Sequence, residues 1–371
     1  MAGTDVAAAP QARRKTARQE NLSPARALGR ARYALAQGAR VAWYMGHYIA
    51  ARRLSGPVIP PGEPAFKPAA RPGSQERIRS AFLDLFTQDW ANIDAGLYPA
   101  PRDFAPGALA AALDGSRRFF SDLPHVDARR MARDGVEVRD AADRGRYPTY
   151  YLQNFHYQTG GWLTRESAQL YDTQVEVLFG GAADAMRRIA LGALARGLKG
   201  RDQRRTPLID IACGNGRFLS QILAAFPRLQ ATGLDLSPSY AEEARARVAP
   251  WPQAEIVIGK AEAAPFSDAA FQAASCVYLF HELPPRVRRD VAAEIARIIA
   301  PGGVFVFADS VQTGDQADLD AMLEYFPIGF HEPYYGSYVA EDLEALFGAV
   351  GFKLEEKRLA FLTKVMRFRR V

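Results

Sequence analysis

The sequence of 371 residues predicts an α/β fold, in which a mainly helical N-terminal region precedes a sheet of mostly parallel strands. One observation is the run LIDIACGNGRFL, from Leu208 to Leu219, which has the pattern of a buried strand, a glycine turn and the start of a helix. A second is that strand and helix patterns alternate after it, which implies parallel pairing through right-handed crossovers. The apolar content of 48% is sufficient for a sizeable core.

The chain starts with a basic leader, residues 1–55, which holds ten Arg or Lys residues against Asp5 and Glu20. A helix is predicted from Pro24 to Leu54, and its apolar residues are Leu28, Tyr33, Leu35, Val41, Trp43, Tyr44, Tyr48 and Ile49. A basic amphipathic helix with aromatic residues suits an anionic membrane surface, so we expect residues 24–54 to be able to contact one. Because the apolar stripe is imperfect, packing on the rest of the chain, disorder and an organelle-targeting peptide stay open as alternatives.

Two further regions separate this leader from the first strand. Residues 56–74 are predicted to be a stiff linker, because six prolines and three glycines fall between Gly56 and Gly73. Residues 75–165 are predicted to form a mainly helical cap, with helical spacing of Ile78, Phe82, Leu85 and Phe86. The segment 147–162 is rich in aromatic residues, which suit either a pocket for a flat or apolar acceptor or the seam between cap and sheet.

Residues 166–371 are predicted to form the α/β domain. A single long helix is expected from Ser167 to Gly197, and further helices over 238–248, 287–299 and 339–350. Strands are expected over 256–258, 273–279 and 304–308, and the runs 352–359 and 361–368 can form a closing hairpin.

The glycine turn indicates a nucleotide-type ligand. Gly214 and Gly216 let the backbone turn sharply and approach a ligand closely, and Asp235 follows nineteen residues after Gly216, where an acidic side chain can bind ribose hydroxyls. A dinucleotide fingerprint needs a small residue at position 219, which is Leu219 here. A phosphate-binding P-loop is excluded because no Lys followed by Ser or Thr comes after the turn.

Together, LIDIACGNG and the later GLDLS resemble the class I S-adenosylmethionine-dependent methyltransferase family, with Ala212 where that family usually has a glycine. Three later segments match the family in order: GKAEAAPFSDAAF resembles its adenine loop, VYLFHELP the end of strand four, and PGGVFVFADS the turn into strand five. The resemblance implies a Rossmann-like sheet of seven strands whose last strand is antiparallel. It also implies S-adenosyl-L-methionine as the cofactor.

The family's roles carry over to residues of this chain. The resemblance implies that Asp210 helps to hold the methionine amino group and that Asp235 accepts hydrogen bonds from both ribose hydroxyls. It places Tyr171 near the methionine part, and a cofactor-binding set that also includes Ala212, Gly214, Gly216, Leu236, Ala261, Glu262 and Tyr278. Lys260 departs from the family pattern, because many relatives have an Asp there that meets the adenine amino group, and lysine offers no acceptor.

His281 and Glu282 are the candidates for proton removal, since they follow strand four at the edge where open α/β sheets bind ligands. A histidine there has an ordinary pKa near cellular pH and suits a general base, although it could equally serve to cap the strand. His331 is a second candidate, because it lies in an aromatic-rich stretch long enough to fold over the pocket.

The sequence therefore predicts methyl transfer to an oxygen or carbon of a small, flat or lipophilic molecule. A nicotinamide-dependent oxidoreductase and a membrane-associated assembly factor without catalysis are the alternatives. No nucleic acid partner is expected, and the oligomeric state stays open. Cys213 and Cys276 give neither a metal-site spacing nor a disulfide framework, so we expect no metal. We expect a cytoplasmic location, either free or peripheral on a membrane surface.

Overall fold

The computed structural model describes residues 23–102, 106–141 and 145–371. Its centre is a seven-stranded sheet with the order β3-β2-β1-β4-β5-β7-β6. The strands are β1 (Leu208–Ile211), β2 (Ala231–Asp235), β3 (Ala254–Ile258), β4 (Phe271–Val277), β5 (Ile299–Ser310), β6 (Phe352–Ala360) and β7 (Thr363–Arg370). The first five strands pair in parallel, and β7 runs antiparallel between β5 and β6. The predicted α/β fold with a closing hairpin is confirmed.

Helices cover both faces of this sheet and precede it. The N-terminal region holds α1 (Pro24–Leu54), α2 (Gln75–Asp94), α3 (Ala108–Ala132) and the single turn α4 (Val138–Ala141). The rest of the described chain holds α5 (Arg165–Leu178), α6 (Ala183–Gly197), α7 (Arg217–Ala225), α8 (Pro238–Val248), α9 (Pro285–Ile298), α10 (Asp320–Gly329), α11 (Tyr335–Tyr338) and α12 (Leu343–Gly348).

The prediction of one helix from Ser167 to Gly197 is wrong, because the chain breaks between α5 and α6. Gly180 and Gly181 adopt φ values of +57° and +85° there, which a right-handed helix does not allow. The break leaves room for α1: a Cβ at Gly181 would lie 3.0 Å from the backbone oxygen of Arg40. The final predicted helix is also shorter than expected, since α12 spans 343–348.

The helix predicted from Pro24 to Leu54 is present as α1 and packs on the folded chain. The hydroxyl of Tyr33 donates to Asp89 of α2 at 2.5 Å. Arg40 pairs with Glu176 of α5 at 2.7 Å and with Asp184 of α6 at 3.0 Å. Within the described ranges, no helix combines the length and the apolar character that crossing a bilayer requires.

The parallel strands place the candidate site. Because β1, β2 and β4 are neighbours that run in the same direction, their carboxyl ends meet at one edge of the sheet. Asp210, Asp235 and the segment after Val277 therefore come together at this edge.

Candidate active site

An open cleft lies at the carboxyl ends of β1, β2 and β4, with about 1060 Å³ of empty space when its solvent-filled mouth is included. The sheet, the glycine turn and the cap segment all contribute to its wall. Eight of the ten residues predicted to bind the cofactor line it: Tyr171, Asp210, Ala212, Gly214, Asp235, Leu236, Ala261 and Tyr278. Of the three predicted catalytic residues, Glu282 lines the cleft as well.

The turn after β1 is built from left-handed residues. Ala212, Gly214 and Gly216 have φ values of +54°, +55° and +77°. A Cβ at Gly214 would meet no atom closer than 3.9 Å, so the turn leaves free space on the cleft side. Gly216 does not line the cleft; it caps α7, and its Cα lies so close to Ala244 that an added Cβ would be 3.1 Å from the Ala244 Cα.

Two carboxyl groups face the cleft beside this turn, the buried Asp210 and the half-buried Asp235. The amides of Gly214 and Ser237 each donate to Asp235 at 2.8 Å. Burial nevertheless raises the pKa of Asp235 to about 6. Burial also raises the pKa of Asp210 to about 7, and the Ser275 hydroxyl, which donates to Asp210 Oδ1 at 2.7 Å, opposes this change. The other oxygen, Asp210 Oδ2, has no hydrogen-bond partner among the described residues.

The loop after β3 contributes backbone and small side chains to the cleft. Gly259 and Ala261 line it, whereas Glu262 does not. Glu262 instead accepts a hydrogen bond at 2.8 Å from Tyr150, which is itself a cleft residue of the cap. Glu262 thus connects this loop to the cap segment through its hydrogen bond with Tyr150.

Aromatic side chains of the cap and the adjacent helices close the opposite wall. Trp162 is central, with its ring 5.4 Å from the rings of both Tyr171 and Tyr240. The aromatic segment 147–162 therefore lines the cleft through Tyr150, Tyr151, Phe155 and Trp162, and it also forms the seam, because Ser237 donates to the Trp162 carbonyl at 2.5 Å.

Two arginines that the sequence analysis missed line the cleft near Tyr171 and Tyr278. Arg187 of α6 lies with its guanidinium carbon 5.9 Å from the ring centre of Tyr278. Arg217, at the start of α7, forms a bidentate pair with the buried Asp184. Asp184 also pairs with Arg40 of α1, which connects the leader helix to this end of the cleft. The sequence carried no signal for this network, since its members are far apart in the chain.

Glu282 lines the cleft near the carboxyl end of β4 and is backed by a histidine. The Nε2 of His281 lies 3.9 Å from Glu282 Oε1. On the other side of the ring, Nδ1 lies 2.6 Å from Oδ1 of the fully buried Asp309. Asp309 is fixed by the amides of Phe280 and Ser310, which donate to it at 2.8 and 2.7 Å.

The groups around His281 shift the pKa values of His281 and Glu282. Burial opposes the charged form of His281, but Asp309, with Glu332 and Glu282, outweighs it and raises the pKa of the imidazole to about 10. Burial raises the pKa of Glu282 to about 8, although the nearby His281 acts in the opposite direction. A group whose pKa lies this close to neutrality can gain and lose a proton at cellular pH. Asp309 is part of the run PGGVFVFADS, but sequence inspection does not reveal that it contacts His281.

His331 lies away from the cleft. Its Nε2 is 2.8 Å from Gln153 Oε1, and its ring packs against Tyr157 with ring centres 5.8 Å apart. The neighbouring residue, Glu332, is buried, and its Oε1 lies 3.1 Å from Nε2 of His156. Burial lowers the pKa of His156 to about 3 and raises the pKa of Glu332, so the two do not form an ion pair. The structure thus brings His281 and Glu282 together and leaves His331 apart. In the described part of the chain, no group of three or more His, Cys, Asp or Glu side chains is arranged to hold a metal ion.

Comparison with known proteins agrees with this geometry. Residues 208–303 match a family described as a methyltransferase domain. An O-methyltransferase of Penicillium expansum is 32% identical over 151 residues, which are 40% of this chain and 52% of the relative. A ubiquinone/menaquinone biosynthesis C-methyltransferase of Desulfotalea psychrophila is 27% identical over 53% of this chain and 76% of its own. A demethylmenaquinone methyltransferase of Chlorobaculum tepidum is 31% identical over 37% of this chain and 54% of its own. The matched region thus spans about half the length of the first and third relatives.

Proposed function

Because the chain belongs to the class I S-adenosylmethionine-dependent methyltransferase family, we propose that it methylates an oxygen or a carbon atom of a small, flat or lipophilic acceptor. The observation that carries this proposal is that one cleft joins the carboxylates of Asp210 and Asp235 to Glu282 along a wall of aromatic rings. Relatives named as an O-methyltransferase and as quinone-biosynthesis C-methyltransferases support the two kinds of acceptor atom.

The cleft residues fit S-adenosylmethionine. Asp235 faces the cleft beside Gly214, and its carboxylate can accept hydrogen bonds from ribose hydroxyls. The unpartnered Asp210 Oδ2 is an acceptor for an ammonium group, which would relieve the cost of its burial. The guanidinium groups of Arg187 and Arg217 offer donors for a carboxylate. When bound, the cofactor supplies an electrophilic methyl group on a cationic sulfur.

The chain's own residues would position the acceptor and move its proton. The rings of Tyr151, Phe155 and Trp162 exclude water and suit a flat or apolar molecule. Glu282 faces the cleft and, when deprotonated, can accept a proton from an acidic oxygen or carbon. His281, held by Asp309, would keep Glu282 oriented and favour its charged form.

Isothermal titration with S-adenosylhomocysteine tests the cofactor half of this proposal. We expect binding by the wild-type protein and an affinity about a hundredfold lower for Asp235→Asn, because hydrogen bonds to a charged acceptor are lost. Asp290→Asn, an exposed carboxyl on α9, is the matched control and should bind like the wild type. No binding by the wild type, or equal binding by the two variants, would overturn it.

The acceptor half needs a separate measurement. We expect the metabolites of a strain that lacks the gene to include a compound lighter than its counterpart in the parent strain by one methylene group. The purified protein should then methylate that compound in the presence of S-adenosylmethionine. An acceptor that carries the methyl group on nitrogen would contradict the proposed oxygen or carbon acceptor.

A further inference from the structure

The outward face of α1 has no role in the cleft, and we propose that it docks on an anionic phospholipid bilayer. The inner face is occupied: Tyr33, Ala36 and Gln37 are buried against the neighbouring helices, and Arg40 is held by Glu176 and Asp184. The predicted apolar side of this helix is therefore divided in two. Tyr33 packs inward, whereas Leu28 and Leu35 remain outside.

The outward residues form a stripe along the helix. Leu28, Leu35, Ala42 and Ile49 are spaced seven residues apart and are all exposed. Positions seven apart point in nearly the same direction, with a drift of about 20° for each step. The exposed fractions of the three large side chains are 53% for Leu28, 72% for Leu35 and 45% for Ile49. The stripe therefore extends for about 30 Å at 1.5 Å per residue.

Arginines lie at both ends of the stripe. Arg32 follows Leu28 by four residues, and Arg52 and Arg53 follow Ile49 by three and four residues, so these three lie on the same side of the helix as the stripe. Arg30 adds a charge at the first end but points to the other side. All four are exposed, and none forms an ion pair with a described residue. The helix from Pro24 to Leu54 contains no Asp or Glu. An apolar stripe between cationic ends is the pattern of a helix that lies in the interface of an anionic bilayer, with its apolar side chains among the acyl chains.

The charges of α1 disfavour two other occupants of this face, a second copy of the chain and nucleic acid. In a parallel pair of copies Arg32 and Arg53 would each face their own equivalents, and in an antiparallel pair Arg32 would face Arg52 and Arg53. The helix has no acidic residue to offset this repulsion. Nucleic acid would neutralise the arginines but leave the leucines and Ile49 without an apolar partner. Phospholipids supply both the negative head groups and the apolar phase.

This docking is independent of methyl transfer. The surface lies on the outer side of α1, whereas Arg40, on the inner side, leads through Asp184 to Arg217 at the cleft. Attachment through α1 would keep the cleft close to a membrane, where lipophilic acceptors concentrate.

The test is co-sedimentation of the full chain with vesicles. We expect strong binding to vesicles that contain phosphatidylglycerol, weak binding to pure phosphatidylcholine, and weaker binding at high salt. Replacing the large apolar residues of the stripe by serine should reduce the binding at least tenfold: Leu28→Ser, Leu35→Ser and Ile49→Ser together. Replacing the four flanking arginines by glutamine should reduce it by a similar factor: Arg30→Gln, Arg32→Gln, Arg52→Gln and Arg53→Gln.

Matched controls remove equal numbers of exposed groups elsewhere and should bind vesicles like the wild type. The apolar control combines Leu83→Ser, Val136→Ser and Met322→Ser. The charge control combines Arg204→Gln, Arg205→Gln, Arg228→Gln and Arg289→Gln.

Titration with S-adenosylhomocysteine reports whether each variant remains folded, and light scattering reports its oligomeric state. Undiminished binding by the stripe variants, or an equal loss in the controls, would refute the proposal. A dimer that the stripe variants dissociate would assign the face to a second copy and refute it as well. If no protein binds S-adenosylhomocysteine, the proposed function fails, but the vesicle result still decides the docking.

Discussion

The two ends of the cleft both hold buried or half-buried acidic groups, yet they differ in what surrounds those groups. At the end formed by β1 and β2, Asp210 and Asp235 have neutral partners, namely one hydroxyl and backbone amides. At the end formed by β4, Glu282 faces His281, which Asp309 keeps positively charged. Burial raises the pKa in all three cleft carboxyls, so the difference lies in which neighbour can supply a compensating charge.

This comparison assigns different tasks to similar groups. Asp210 lacks a cation in the protein and therefore gains most from a cation on a ligand. Glu282 already has a cation within 3.9 Å, and its pKa of about 8 suits the exchange of a proton. Cofactor binding should therefore depend on the end that holds Asp210 and Asp235, and turnover on the end that holds Glu282.

The largest expected effect is on turnover. Glu282→Gln should lower the rate of methyl transfer about a thousandfold, because glutamine cannot accept the acceptor's proton. The affinity for S-adenosylhomocysteine should change little. The wild-type rate should rise as the pH rises through about 8, where Glu282 loses its proton, and the variant should lack this rise.

Radiolabelled methyl transfer to a panel of phenols and quinols measures this prediction. Glu344→Gln, at an exposed position on α12, is the matched control and should keep the wild-type rate and pH profile. A Glu282→Gln variant with full activity would contradict the assignment of proton removal to Glu282 and of turnover to its end of the cleft.

The second expected effect is on stability and belongs to the first end. In the folded protein without ligand, Asp210 has a pKa of about 7, well above its ordinary value. The folded state therefore holds a proton that the unfolded state releases, and the stability that this group contributes falls as the pH rises from about 4 through about 7. Asp210→Asn does not titrate and keeps an acceptor for Ser275, so it should be about 2 kcal/mol more stable than the wild type at pH 8. The difference should vanish toward pH 4.

Urea unfolding at several pH values measures this difference, with Asp290→Asn as the control that should follow the wild type. The same Asp210→Asn variant should bind S-adenosylhomocysteine more weakly, because it loses a charged acceptor for the amino group. If the variant is more stable but binds more weakly, the buried carboxyl of Asp210 lowers the stability of the protein and is needed for cofactor binding. A variant that is less stable at pH 8 would contradict this interpretation.

The ends also differ in how far the sequence predicts them. Asp210, Gly214 and Asp235 are close to two consecutive strands, so the strand and turn patterns were enough to place them at one edge. The contact of His281 with Asp309 depends on the pairing of β4 with β5, and those residues are 28 positions apart. Side-chain partners across such separations follow from tertiary packing, for which a single sequence gives no local signal.

The helices show the same limit. The predicted bounds of α1 and α8 match the structure, in which each helix begins with a serine cap followed by proline, at Ser23 and Ser237. The break at Gly180 and Gly181 was missed because the helical pattern continues on both sides of it, although two consecutive glycines are a turn signal. In the structure, α1 passes beside these glycines. Likewise, Arg187 and Tyr240 reach the cleft through helix packing and not through a recognisable motif.

The smallest expected effect concerns Ala212, the residue in the turn that departs from the family motif. Its φ of +54° costs an alanine about 1–2 kcal/mol relative to glycine, and glycine gains about 0.5–1 kcal/mol of conformational freedom in the unfolded chain. Ala212→Gly should therefore raise the free energy of unfolding by about 0.5–1 kcal/mol. Ala246→Gly, exposed in the last turn of α8, should lower it by about 0.5 kcal/mol.

Urea unfolding of the two variants checks both signs, and titration with S-adenosylhomocysteine checks the cleft. The affinity of Ala212→Gly should stay within about twofold of the wild type, because the next residue, Cys213, anchors the turn by donating from its amide to the Leu234 carbonyl at 3.0 Å. A strained turn that is held by its backbone bonds can keep its shape with either residue. If Ala212→Gly instead lost stability or affinity, the methyl group of Ala212 would be a packing contact of the first end, and the strain would not be the dominant contribution.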